Sequence, residues 1–406
     1  MTGVFEVLEG LPAIRAWQEE VYVDLHQHPE LSSHETRTAD VVAGHLTEFG
    51  YQVHRIGGGV VGVLTQGEGP CVLFRADMDA LPVTEQTGLP YASTVTATDG
   101  EGNTVGVMHA CGHDVHVTSL LSAARLLAES RDSWAGTFLA LFQPAEETAA
   151  GARAMVDDEL VARLPRPDVA LAQHVLGSVA GTVDTRSGPV LSCADSIRIT
   201  VHGAGSHGAM PNLGVDPVVV AAAIVMRLQG IVSRELPPGE RAVVTVGAIR
   251  AGTKSNIISD RAELLLNTRA YSEEIRLQIR AAIERIVRGE CVTSGCPSEP
   301  EFEYYDQFPL TINDAVTTER VDAALRRHFG EDRVGEMAPV PASEDFSRIP
   351  DAFGVPYTFW GLGGYPEGVT APGNHSPFFA PVQQPTLATG AEAIVVGVLA
   401  YLGQEA

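Results

Sequence analysis

The stretch Val72-Leu73-Phe74-Arg75-Ala76-Asp77-Met78-Asp79-Ala80-Leu81-Pro82 indicates both the fold class and the position of the chemistry. It begins as a continuous apolar run, which is typical of a strand buried on both faces, and it ends in two carboxylates two positions apart. Similar runs at 60–64, 137–142, 169–172 and 357–360 alternate with helical periodicity, most clearly at 116–128 and 386–402. This alternation predicts an α/β layer fold.

The pattern changes between residues 191 and 306. There the runs follow the order strand, helix, strand, strand, helix at 197–201, 217–232, 242–249, 262–270 and 273–288, with a further strand at 301–305. Such a βαββα unit predicts a small sheet-and-helix domain. We therefore expect a first domain made of residues 1–190 and 307–406, with residues 191–306 inserted between its two halves.

The composition argues against several classes of partner. The 406 residues carry a formal net charge of −24, and so acidic a surface repels nucleic-acid phosphates and anionic lipid headgroups. The five cysteines are an odd number in a long chain, which favours reduced thiols over a disulfide framework. Residues 1–20 lack the basic start and unbroken apolar run of a signal peptide. We expect a cytoplasmic protein without nucleic-acid or membrane partners.

The densest group of potential metal ligands is the segment Met108-His109-Ala110-Cys111-Gly112-His113-Asp114-Val115-His116. Thiolate and imidazole are the ligands that zinc-like ions prefer. Taken alone, the segment also fits an ordinary helix start that Asp114 caps and that leaves its histidines solvated.

Further polar side chains follow the predicted strands. Asp77 and Asp79 end one strand, and Glu146 and Glu147 follow another; adjacent glutamates repel each other unless a positive charge lies between them. His174 ends a third strand, and Asn374-His375-Ser376-Pro377 adds a histidine far downstream. Because functional crevices of open α/β sheets lie at the carboxyl ends of strands, we expect a site there.

With these segments in place, the chain resembles the M20 metallopeptidases, in particular the branch of aminoacylases, hippurate hydrolases and indole-acetyl-amino acid hydrolases. The resemblance covers nearly the whole length. It implies a zinc-exopeptidase-like catalytic domain with a mixed sheet, an inserted ferredoxin-like α+β lid domain, and a homodimer. The segments that carry it lie at 25–31, 75–82, 109–116, 144–147, 252–256, 343–346 and 374–377.

The resemblance also implies the roles of individual residues. Glu146 is implied as the general base, and Asp79 as a residue that orients a ligand imidazole. The implied ligands of two divalent ions, zinc first and manganese, cobalt or nickel as alternatives, are Cys111, His113, Glu147, His174 and His375.

Residues of the inserted segment are implied to bind substrate. His207 is implied to polarise the oxyanion, and Asn256 and Arg269 to hold the carboxylate or carbonyl of the bound amide. Ser206 and Gly208 stand where related sequences commonly have glycine and alanine. The sequence therefore leaves open whether His207 acts in its own subunit's site or in a neighbour's.

These features predict a metal-dependent hydrolase that cleaves the amide bond of N-acyl amino acids or similar small amides. Three alternatives stay open: a dipeptide hydrolase, a thiol hydrolase with Cys111 as nucleophile and His113 as base, and a small-amide-binding protein without catalysis. The sequence does not indicate which acyl group is removed.

Overall fold

The computed structural model describes residues 2–100 and 102–403, and the chain divides into two compact units. The first unit comprises Met1–Val190, Thr311–Pro339 and Asp345–Ala406. The second comprises Leu191–Leu310 together with the short segment Val340–Glu344. The predicted domain boundaries and the role of the inserted segment stay predictions.

The α-helices of the described residues are α1 (Thr2–Leu8), α2 (Leu11–Gln27), α3 (Thr36–Glu48), α4 (His113–Glu129), α5 (Gly151–Asp157), α6 (Leu160–Arg163), α7 (Pro217–Leu228), α8 (Glu273–Ser294), α9 (Ala315–Phe329), α10 (Arg348–Phe353) and α11 (Gln383–Leu402).

The strands are β1 (Gln52–Ile56), β2 (Gly59–Gln66), β3 (Cys71–Asp77), β4 (Thr96–Thr98), β5 (Thr104–Gly106), β6 (Gly136–Gln143), β7 (Val169–Val179), β8 (Val183–Thr185), β9 (Gly188–Leu191), β10 (Cys193–His202), β11 (Ser206–His207), β12 (Ala242–Ala251), β13 (Ile257–Ile258), β14 (Arg261–Ala270), β15 (Glu301–Phe308), β16 (Thr311–Asn313), β17 (Val334–Glu336) and β18 (Tyr357–Tyr365).

The first unit is built on a mixed eight-stranded sheet in the order β1-β2-β6-β3-β7-β18-β8-β17. Strand β3 pairs in parallel with both β6 and β7, and β18 pairs in parallel with β7. Every residue of β3 and β18 is buried, as expected for central strands with both faces covered. The parallel pairing places the carboxyl ends of these strands at one edge, and the predicted mixed α/β class is confirmed.

Helices α4 and α11 pack against each other in the core of this unit. Among residues 2–100 and 102–403, α11 is the single helix long and apolar enough to cross a membrane. Its most apolar window is 72% buried inside the structure, which is typical of the core helix of a folded domain. The apolar length of α11 is therefore explained by packing.

The second unit contains a four-stranded antiparallel sheet in the order β12-β14-β10-β15. Along β14 buried and less buried residues alternate, so one face of the sheet forms the core. Helices α7 and α8 contact each other and both contact β14, which places them together on that face. Helix α8 continues past the predicted end at residue 288 to Ser294, where Gly295 in a left-handed conformation (φ 71°) stops it.

Candidate metal centre

The parallel strands bring the predicted site segments of the first unit to one edge of its sheet. Asp77 ends β3 directly beside Gln143, which ends β6, and His174 lies in β7 on the other side of β3. The segment after β6 turns sharply, since a Cβ added to Gly151 would lie 1.5 Å from the carbonyl oxygen of Pro144. This turn carries Glu146 and Glu147.

Gly112 opens helix α4 between Cys111 and His113 and cannot be replaced without displacing them. Its backbone is left-handed (φ 80°), and an added Cβ would lie 2.4 Å from Cγ1 of Val175. The histidines of this helix start are buried, and Asp114 is not the cap residue. The alternative of an Asp114-capped helix with solvated histidines is therefore wrong.

His113 is oriented by carboxylates. Its Nδ1 lies 3.1 Å from Oδ1 of Asp79, while Oδ2 of Asp79 accepts hydrogen bonds from Ser32 Oγ at 2.7 Å and from the Glu147 amide at 3.0 Å. Because a carboxylate accepts, Nδ1 donates to Asp79 and Nε2 is the nitrogen left for a cation. Asp77 and Asp79 raise the pKa of His113 well above its usual value despite burial, so Nε2 carries a proton until a cation replaces it. That Nε2 lies 3.8 Å from Oε1 of Glu147, and both atoms are buried without a hydrogen-bond partner.

His174 presents a lone pair in the same region. Its Nδ1 donates to the carbonyl of Val175 at 2.8 Å, which leaves Nε2 unprotonated and 3.5 Å from Sγ of Cys111. Desolvation of the ring and the nearby His116 hold the pKa of His174 well below its usual value. The imidazole is therefore neutral, as a metal ligand must be.

His375 completes the cluster. Its Nε2 lies 3.4 Å from Oε2 of Glu147, and the neighbouring Asn374 Nδ2 donates to Sγ of Cys111 at 3.4 Å. Hydrogen bonds to Cys111 and Glu147 raise the pKa of His375 to about 10, so the surrounding groups favour a positive charge at this point. The structure thus brings together all five residues predicted as ligands.

These residues fit a binuclear metal site. Three imidazoles, one thiol and one carboxylate are a donor set suited to zinc and related divalent ions. Buried polar atoms normally have partners, so the unpartnered His113 Nε2 and Glu147 Oε1, facing each other, need a third group between them. A cation bound by both atoms would satisfy them.

His116 is buried next to the cluster but its ring atoms are engaged elsewhere. Its Nε2 accepts the Val175 amide at 2.8 Å, and its Nδ1 bonds Asp77. Asp77 also receives a hydrogen bond from Arg75 Nη1 at 2.6 Å, and the charges of His113 and Arg75 hold its pKa well below the usual value despite burial. Both ring nitrogens of His116 are therefore engaged, although ligand atoms of Asp77, His113, His116 and His174 all lie within 4.8 Å of one another and could also hold a cation.

Arg75 also links the strand ends to a distant loop. Its Nε donates to Gln143 Oε1 at 2.9 Å, and Nη2 lies 3.5 Å from Oδ1 of Asp345. Asp345 in turn accepts from the side chain of Gln143 at 2.5 Å and from the amide of Ala152 at 3.1 Å. This network holds both ends of the turn that carries Glu146 and Glu147. Sequence reasoning did not assign Asp345, although the segment 343–346 contributed to the resemblance.

Glu146, predicted as the general base, lies on this turn and is 4% exposed. One of its carboxylate oxygens comes within 4.8 Å of a carboxylate oxygen of Asp345. Its neighbour Glu147 points to His113 and His375. The two adjacent glutamates therefore have different surroundings, as different roles require.

The predicted substrate-binding residues lie in the second unit, and the structure does not gather all three. His207 in β11 pairs with Ile257 in β13, and the Gly208 amide donates to the carbonyl of Asn256 at 2.9 Å. His207 and Asn256 line one polar cavity of about 1180 Å³, which also reaches Arg261 at the start of β14.

Arg269 lies at the other end of β14. Its Nε donates to Oδ1 of Asn267 at 2.9 Å, and its Nη1 donates to Ser343 Oγ at 2.5 Å. Its guanidinium is half-buried, so it is not a freely exposed charge at a strand end. Arg261 lies eight positions earlier in the same strand, a distance of about 27 Å at ~3.4 Å per residue.

Comparisons with known proteins define the class to which this architecture belongs. Residues 73–397 match peptidase family M20/M25/M40, and the chain therefore belongs to this family. The predicted family resemblance is confirmed.

Individual relatives cover most of the chain. N-acetyl-L-cysteine deacetylase of Bacillus subtilis is 35% identical over 345 residues, 84% of this chain and 79% of the relative. Hippurate hydrolase of Campylobacter jejuni is 36% identical over 345 residues, 84% and 87% of the two chains. The crystal structure of Bacillus subtilis YXEP protein, described as a dinuclear metal binding peptidase from the M20 family, superposes with a TM-score of 0.77 at 28% identity, covering 96% and 98%.

Proposed function

We propose that this chain is a metal-dependent amidohydrolase that cleaves the amide bond of N-acyl amino acids or similar small amides. The observation that carries the proposal is the pair of buried, unpartnered atoms His113 Nε2 and Glu147 Oε1 within a cluster of thiol, imidazole and carboxylate groups. The family membership and the deacylase names of the relatives agree with this reaction class.

Two divalent ions would be held by Cys111, His113, Glu147, His174 and His375. Cys111 adjoins both His174 and Asn374-His375, so its thiol could contribute to holding either ion. Zinc suits the thiol and imidazoles, whereas the carboxylate also accepts manganese, cobalt or nickel. When bound, such ions supply a Lewis acid and lower the pKa of water from about 15.7 to about 7.

Side chains of the protein then transfer the proton and orient the ligands and the substrate. Glu146, on the turn beside the ligand Glu147, accepts the proton of the attacking water and returns it to the leaving nitrogen. Asp79 keeps His113 in the tautomer whose Nε2 is free to bind. His207 and Asn256 bind the acyl carbonyl and its oxyanion, and Arg269 binds the substrate carboxylate bidentately.

We propose that residues 191–306 form an inserted lid and dimerisation domain. His207 in β11 lines a cavity that reaches Arg261 at the start of β14, whereas Arg269 lies near the other end of that strand. This separation is too large for both side chains to contact one small amide within a single unit. If both His207 and Arg269 of one chain bind substrate, they bind it in two different active sites. A symmetric dimer allows this, because one of the two side chains can reach the site of the partner subunit. Strand β12 is a sheet edge, and its neighbour α7 exposes Val218, Val219 and Met226.

Light scattering of the metal-loaded protein tests this association. We expect the wild-type protein to have twice the mass of one chain. Val219→Arg and Met226→Arg, at positions that are both more than 60% exposed, are expected to produce a monomer with reduced activity. The exposed Leu277→Arg on α8 is the matched control, which should stay dimeric. A wild-type protein that is monomeric and fully active would contradict the dimer proposal.

The reaction class is tested by release of free amine from N-acetyl, N-benzoyl and indole-acetyl amino acids. We expect release from at least one substrate, loss of activity after chelation, and recovery on adding zinc or manganese. A thiol hydrolase with Cys111 as nucleophile would keep its activity without metal. Activity that survives complete metal removal would therefore contradict the proposal.

The same assay separates the remaining alternatives. Dipeptides cleaved in preference to N-acyl amino acids would favour a dipeptide hydrolase. Saturable binding of small amides without product, in protein that contains two ions per chain, would favour a binding protein. We further propose a cytoplasmic enzyme that acts on small molecules, with neither nucleic acid nor membrane as partner, in keeping with the net charge of −24.

A further inference from the structure

We propose that Glu35 is a positioning residue: its carboxylate holds the amide of Ala145 and thereby fixes the turn from which Glu146 and Glu147 project. The inference rests on the proposed roles of these two glutamates as general base and metal ligand. Glu35 belongs to the segment Glu30–Glu35 that precedes helix α3, here called the supporting loop.

The turn that Glu35 contacts is strained. Ala145 has φ 47° and Ala149 has φ 53°, a left-handed conformation that costs energy for residues with a Cβ. Ala145 directly precedes Glu146, and Ala149 follows Glu147 after one intervening residue, Thr148. A relaxation of the backbone at Ala145 would therefore redirect the two carboxylates. On the carbonyl side, Ala145 accepts the amides of Ala150 at 3.2 Å and Gly151 at 3.0 Å. Its own amide needs a further interaction to complete the support of this conformation.

Glu35 supplies that interaction from 110 residues away in sequence. Its Oε1 accepts the Ala145 amide at 2.6 Å, and the carboxylate also accepts the backbone amides of Ser33 and of Glu35 itself. The side chain is 5% exposed, and burial, together with the charge of Asp79, raises its pKa to about 7. Burying a carboxyl group at this position costs more free energy than burying an apolar side chain. The hydrogen bond from the Ala145 amide gives a physical reason for a carboxyl group here.

Packing alone does not hold the turn. A cavity of about 430 Å³ adjoins it, lined by Glu35, Pro144, Ala145 and the glycines Gly57 and Gly58. The backbone of Ala145 thus has room to move on this side if the hydrogen bond is lost.

The supporting loop also reaches the imidazole side of the site. Ser32 Oγ donates to Oδ2 of Asp79 at 2.7 Å, and Asp79 orients His113. One loop therefore positions both the carboxylate behind His113 and the turn behind Glu147.

The experiment compares Glu35→Ala, Glu35→Gln and their combinations with Ala145→Gly. Glu35→Ala is expected to lower kcat about 10–100-fold, to leave KM within about twofold, and to weaken metal retention against a competing chelator by a similar factor. Glu35→Gln keeps a carbonyl acceptor and should retain most activity. Because glycine adopts the left-handed conformation without strain, Ala145→Gly should restore part of the loss in Glu35→Ala.

The control is Ala149→Gly, which relaxes the second left-handed residue of the same turn and should not restore Glu35→Ala. Wild-type kcat and metal retention in Glu35→Ala would overturn the inference, as would equal rescue by both glycine variants. If Glu35→Ala does not fold, Glu35→Asp takes its place in the same comparison, because its shorter side chain withdraws the acceptor from the Ala145 amide. Metal retention can be measured even if the wild-type protein hydrolyses none of the amides. The Glu35 inference and the proposed function can therefore fail independently of each other.

Discussion

Replacing Glu146 by glutamine is expected to lower kcat/KM by about 10²–10⁴-fold while the protein keeps its full content of metal. The amide is nearly isosteric with the carboxylate but cannot accept a proton from water. Glu146 is 4% exposed and lies outside the cluster of predicted ligands, so the change should not disturb His113, Glu147 or His375. Amine release and metal analysis of the same sample measure both parts of the prediction.

The adjacent Glu147→Gln variant is the matched control. Its carboxylate lies 3.8 Å from His113 Nε2 and 3.4 Å from His375 Nε2, so its loss should reduce metal binding itself. Added metal should therefore recover part of the activity of Glu147→Gln but none of that of Glu146→Gln. Full activity in Glu146→Gln would refute the assignment of the general base.

Replacing Arg75 by methionine is expected to lower the free energy of unfolding by about 3–5 kcal/mol, because one partner of a buried charge network is removed. The guanidinium and the carboxylates of Asp77 and Asp345 are all 0% exposed. Methionine fills much of the volume but removes the guanidinium that the two aspartates share, and Asp77 keeps only its histidine partners. The stability of the first unit should fall more than that of the second.

Urea unfolding followed by circular dichroism measures this loss in metal-free protein. Arg15→Met serves as the control, since the Arg15–Glu19 pair is 60% and 36% exposed and such surface pairs contribute about 0–1 kcal/mol. If the free energy of unfolding of Arg75→Met changes by less than about 1 kcal/mol, other groups must replace the guanidinium as partners of Asp77 and Asp345, and the prediction is wrong.

Much of the architecture was predictable because it depends on short-range patterns. The apolar run ending in Asp77 appears as strand β3, and the change of pattern near residue 191 coincides with the start of the second unit. Short strands such as β8 and β17 were not predicted, since three residues carry too little periodicity to be recognised.

The sequence named the candidate ligands but not the residues that support them. Cys111, His113, Glu147, His174 and His375 were named as ligands from side-chain type and resemblance, and the structure brings them together. Glu35 and Asp345 were not named, because each acts through a hydrogen bond to a segment 110 or about 200 residues distant. No local pattern encodes such a pairing.

The sequence by itself therefore determined the family and the α/β class, and it named the side chains that we propose as ligands of two metal ions, because strand periodicity and ligand type are properties of short segments. Only the tertiary structure decided which nitrogen of His113 faces Asp79, that both ring nitrogens of His116 have partners, and that His207 lies beside the start of β14 while Arg269 lies near its other end. These features depend on the packing of distant segments, which sets the partner of each buried polar atom.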